Sequence, residues 1–167
     1  MTIDRRSIGR VNKKEKTISS YSKEELKRIV QESRKEREKG FRALGIEDKK
    51  ALRFFVEAPG ITPQSLREKL DVFKKVGFSN PLEIFNKFPV MYNFEPQRII
   101  SFLQEKFTKK RYFNFPLSDK DIIKIIEHFP GCVIEGTLSG QQIKKALEFI
   151  TPEPDSVKNN VSKNKNR

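Results

Sequence analysis

Apolar residues recur along this chain at helical spacing, and proline, glycine and capping residues punctuate the recurrence. The clearest stripe is Leu66, Leu70, Phe73 and Val76, one face of a helix. Thr62-Pro63 precedes it, a capping hydroxyl followed by a first-turn proline, and Gly77 follows it. Asn80-Pro81 repeats that start ahead of Leu82, Ile84, Phe85 and Phe88, and Pro89 is the stop. Pro96 opens a helix bearing Ile99, Ile100, Leu103 and Phe107. Ser118-Asp119-Lys120-Asp121 caps another, with Ile122, Ile123, Ile125, Ile126 and Phe129, stopped by Pro130-Gly131. Ser139 and Gln142 cap the last, with Ile143, Leu147 and Ile150. Upstream, Ser22 and Glu25 form a capping box for a charged helix running to about Leu44 and ended by Gly45. Asp48 to Ala58 then carries Leu52, Phe55 and Val56 up to Pro59-Gly60. Val133-Ile134 is too short for a strand, and Pro116 breaks Phe113 to Leu117. The pattern predicts an all-α chain of about seven helices.

The breaks recur in one order: a short helix, a proline, a turn, a capped longer helix, a loop. Pro59 and Pro89 are each followed eleven residues on by an apolar anchor, Leu70 and Ile100, and fourteen on by Phe73 and Leu103. A third unit, from Leu117-Ser118-Asp119 through Phe129-Pro130 to Ile143 and Leu147, breaks that register. An insertion near Glu135 to Leu138 accounts for the slip. A two-helix unit cannot bury its apolar face alone, whereas about three stacked units bury a continuous core. The predicted layout is a basic disordered tail over 1–21, a charged capping or arm helix over 22–47, a helical repeat domain over 48–150, and a second disordered basic tail over 151–167.

Gly77-Phe78-Ser79, Glu83-Ile84, Phe88-Pro89 and Val90-Met91 lead into an amphipathic helix ending near Leu103; Leu117-Ser118-Asp119, Ile122, Ile126 and Phe129-Pro130 echo them. Over about residues 51–150 this pattern resembles the mitochondrial transcription termination factor (mTERF-like) family. The resemblance implies a short α-solenoid of about three helical-hairpin repeats that holds nucleic acid on a basic face, usually double-stranded DNA and sometimes RNA. It departs from the family in having fewer units and a longer spacing, 41 residues, between Phe88-Pro89 and Phe129-Pro130. Location follows the organism, which the sequence does not give: mitochondrion or plastid in a eukaryote, cytoplasm, or secretion as an effector, in a bacterium.

Composition sharpens this picture. The chain has 167 residues, about one domain, and a formal net charge of +13. Its apolar share, 35%, is low for a globular chain. Residues 1–50 carry net +7, 51–150 net +4, and 151–167 net +2, so most of the positive charge flanks the apolar middle. The first of 14 Phe is Phe41 and the last is Phe149, which bounds the packed body. A single Cys and a single His exclude a disulfide framework, a multi-Cys zinc site and His-rich metal sites. No apolar run approaches the length of a membrane span, so no membrane insertion is expected. The basic start, Arg5 to Lys16, fits a transit peptide in part and reads otherwise as a solvated tail.

Phosphate neutralisation needs cations on one surface. The candidates are Lys74, Lys75, Arg98, Lys109, Lys110, Arg111, Lys144 and Lys145. Lys74-Lys75 and Lys109-Lys110 also suit helix C-termini through the dipole alone. Tyr112-Phe113 can stack unpaired bases or plug the joint between units. His128 at a helix end reads as a capping or surface residue, and Cys132 as an apolar filler. Asp119 and Asp121 are first-turn charges. No phosphate loop, zinc motif or nucleophile elbow is present, so no catalysis and no cofactor are expected. The expectation is a non-catalytic protein that binds nucleic acid through phosphates, double-stranded DNA before RNA, with a role in transcription or in organellar or bacterial gene expression. The alternative is a protein-binding scaffold or effector that uses the helical surface without nucleic acid.

Overall fold

The computed structural model describes residues 17–150, and both expected tails, save 17–21, lie outside that range. The described residues contain no strand and form eight α-helices: α1 (Lys23–Ala43), α2 (Lys49–Glu57), α3 (Pro63–Val76), α4 (Pro81–Lys87), α5 (Pro96–Lys109), α6 (Asp119–His128), α7 (Cys132–Glu135) and α8 (Gly140–Phe149). Seven are the expected ones. The eighth, α7, is a single turn that ends at Glu135, where the expected insertion begins. Residues 17–21, expected to be disordered, include an exposed 3-10 turn at Ile18–Ser20. The described residues divide into two compact units, one up to Glu36 and one from Arg37 onward.

The starts of these helices follow from single side chains. Asp48 accepts hydrogen bonds from the amides of Lys50 and Ala51 at 2.9 Å. Thr62 with Ser65, Ser118 with Asp121, and Ser139 with Gln142 close capping boxes, and Asn80 caps α4. Each satisfies amides that the first helical turn leaves unpaired. Pro89, the expected stop of α4, itself opens a 3-10 turn, Pro89–Asn93.

The ends of α1, α3 and α5 share one closure. The amide after the helix reaches back to a phenylalanine carbonyl: Ile46 to Phe41, Phe78 to Phe73, Tyr112 to Phe107. The residue before it bonds the next carbonyl, Gly45 to Arg42, Gly77 to Lys74, Arg111 to Thr108. This Schellman closure requires a left-handed residue, and the three have φ of +98°, +122° and +53°. A phenylalanine therefore recurs at 41, 73 and 107, four residues before the left-handed position and five before an apolar residue.

The second unit packs around these phenylalanines. Phe55 lies 5.6 Å from Phe41 and 6.5 Å from Phe85, and Phe73 lies 5.1 Å from Phe85. All four are fully buried, each worth about 2–3 kcal/mol of apolar burial. Helix α2 touches α4, α3 touches both α4 and α5, and α5 touches α6. Arg37 joins this core from the last turns of α1. Its guanidinium donates to the carbonyls of Phe55 (3.0 Å), Ala58 (3.1 Å), Ile61 (2.8 Å) and Val56 (3.3 Å). It thereby sits at the negative end of α2, where a cation is favoured. Asn86 ties α4 to the α1–α2 loop: its Oδ1 accepts from the amides of Glu47 (2.8 Å) and Asp48 (3.0 Å), and its Nδ2 donates to Gly45 O (3.0 Å).

Candidate nucleic-acid interface

All eight predicted cations are exposed. They fall on three helices. Lys74 and Lys75 occupy the last turn of α3, where the dipole favours them without any ligand. Lys144 and Lys145 lie within α8, away from its last turn. Arg98, Lys109, Lys110 and Arg111 belong to α5 and its C-terminal closure, with Arg98 in the first turn and the other three roughly 16 Å away at the far end.

Along α5, Arg98, Phe102, Lys106 and Lys109 recur at steps of three or four and so share one face. Lys106, which is not among the eight candidates, lies on the same face. The signal for it was present, since it stands two turns after Arg98. Arg98 sits in the first turn, the end at which a helix dipole disfavours positive charge. Glu95 stands beside it, but that carboxylate already accepts from Lys69 Nζ at 2.8 Å. The Lys69 contact holds the Glu95 carboxyl below its ordinary range. Lys109 pairs with Glu105 one turn earlier, an exposed contact that solvent screens and a phosphate can displace. The Lys109 ammonium lowers the Glu105 carboxyl in turn. Lys110 Nζ lies 5.8 Å from the Tyr112 ring centre.

Arg111 is the one non-glycine residue with positive φ among the described residues, in the position that Gly45 and Gly77 fill after α1 and α3. A side chain there costs about 1 kcal/mol that glycine avoids. Its amide is committed to the closure, while its exposed guanidinium has no partner among the described residues. Tyr112 and Phe113, the possible stacking pair, are half-buried and pack on Phe107 at 5.6 and 6.4 Å.

The residues weighed for chemistry have structural partners. His128 Nδ1 donates to Lys124 O at 2.8 Å, and its ring stacks on Phe149 at 4.1 Å. Burial pushes the Cys132 thiol up to about 12, so it stays protonated at neutral pH. Asp121, also buried, accepts from the Ser118 amide and hydroxyl, and Asp119 accepts from Gln104 at 2.8 Å. No group of His, Cys, Asp and Glu among the described residues could hold a metal ion. No described helix is long and apolar enough to cross a membrane.

The chain matches no family model, and neither a curated protein nor a solved structure is significantly similar to it.

Proposed function

We propose that the protein binds nucleic acid, double-stranded DNA before RNA, through phosphate contacts made by α5 and its C-terminal closure. Arg98, Lys106, Lys109, Lys110 and Arg111 form the principal site, and Lys74, Lys75, Lys144 and Lys145 extend it. Arg111 carries the proposal. An arginine replaces glycine at the third of three equivalent closures, at a cost to stability, and points its charge outward. Strain retained at a solvent-facing cation fits a ligand contact better than a packing role.

The larger frame of this reading is a short solenoid of about three mTERF-like hairpins, α2 with α3, α4 with α5, and α6 with α8. Its support is the run of neighbours from α2 to α6, in which α2 touches α4, α3 touches α4 and α5, and α5 touches α6. The recurring phenylalanine closure adds to that support. On this reading the protein acts by occupying nucleic acid, in transcription or another step of gene expression.

The test is fluorescence anisotropy with a labelled duplex. Reversing Lys109, Lys110 and Arg111 together to Glu weakens binding by at least tenfold, with the thermal midpoint nearly unchanged. Undiminished binding in that variant removes α5 from the interface.

A further inference from the structure

A groove of about 530 Å³ opens beside the α5 cations, and phosphate contacts leave its lining unexplained. It is lined by Arg98, Ile99 and Phe102 of α5, by Val133 and Ile134 of α7, and by Phe94. Phe102 is 40% exposed and Ile134 58%, two large apolar side chains open to solvent across a single groove. Gly136, just after α7, allows this approach: a methyl group there would stand 3.2 Å from Phe102 Cζ. Lys106 Nζ lies 5.5 Å from the Phe102 ring centre, so cations flank the ring one turn before and one turn after it. The one carboxylate lining the groove, Glu95, is already paired with Lys69.

We infer that this groove docks an acidic amphipathic segment of a partner protein. Aromatic and arginine anchors around an apolar centre are the usual makings of a protein-binding hot spot. An amphipathic helix would set apolar side chains against Phe102 and Ile134, and its carboxylates would meet Arg98 and Lys106. Charge selects among occupants. A second copy of a chain with net +13 is repelled, and the segments outside the described residues, 1–16 and 151–167, are themselves basic. A nucleic-acid backbone would satisfy the cations but leave the two apolar side chains uncovered. Because Arg98 serves both surfaces, peptide and duplex compete.

The probe is a fluorescein-labelled helical peptide of about 15 residues, roughly 22 Å long, with Leu or Phe at i, i+3, i+4 and i+7 and Asp or Glu elsewhere. The control has the same composition with its apolar residues scattered. The full chain binds the patterned peptide at least tenfold more tightly than the control. Phe102→Ser and Ile134→Ser each abolish that preference and leave duplex binding intact. Both residues are exposed, and unchanged thermal midpoints verify the fold. Equal binding of the two peptides, no binding of either, or indifference to both substitutions overturns the inference. Loss of duplex binding in the serine variants also overturns it, because the groove would then serve nucleic acid. Peptide binding without duplex binding would sink the phosphate reading alone.

Discussion

Two arginines show what one side chain type does in two settings. Arg37 turns inward and gives its donors to four backbone carbonyls around the end of α2. Arg37→Ala leaves those carbonyls without their charged donor and is expected to cost about 2–4 kcal/mol in urea unfolding. In the sequence Arg37 is one charge in the run from Glu32 to Lys39. Nothing in the run marks it, because its partners are backbone atoms 18 to 24 residues away. Arg111 turns outward from a strained backbone. Arg111→Gly is expected to raise stability by about 1 kcal/mol while weakening duplex binding, so the two readouts move in opposite directions. A stabilised variant with full affinity would deny Arg111 its part in binding. The basic character of Lys109-Lys110-Arg111 was legible as composition; the left-handed backbone at its third residue was not.

Among elements, the helix starts were the most legible feature. Asp48, Thr62, Asn80, Ser118 and Ser139 act within three residues of themselves, so local sequence suffices to find them. The single turn α7 was not legible, because four residues show no periodicity, and with it went the α5–α7 groove. The closures after α1, α3 and α5 were half legible: the glycines mark two, and the third carries arginine. Between elements, Asn86 acts as a clamp. Asn86→Ala strips the Glu47 and Asp48 amides of their acceptor and is expected to cost about 1–3 kcal/mol, read from the thermal midpoint. The Lys69–Glu95 pair, joining α3 to the residue before α5, gives a pH signature. Glu95 is the more acidic in the folded chain, so its contribution is present above the ordinary carboxyl value of ~4.3. That contribution is lost as pH falls through the lower folded value. Because Glu95 is largely exposed, the stability gap between the native chain and Glu95→Gln is at most about 1 kcal/mol at pH 7. It shrinks as pH drops below ~4. A gap that stays constant with pH would mean the pair contributes nothing.

At the scale of the molecule, charge and packing occupy different parts of the chain. The aromatic core lies between Phe41 and Phe149, whereas most of the net +13 lies in the flanks. The all-helical character was legible because proline, glycine and capping residues punctuate every element. How the cations distribute over the surface was not, since that depends on helix rotation and on contacts distant in sequence. Helix α5 carries cations from its first turn to its last and into the closure beyond. The central claim is that these cations, with the basic flanks, recognise a polyanion by its phosphates. Fluorescence anisotropy of the full chain with a labelled duplex and a scrambled duplex, at three salt concentrations, tests it most directly. About six phosphate contacts predict equal affinity for the two duplexes and a slope of log K against log salt of roughly −5. Absent binding, or binding that ignores salt, would contradict it.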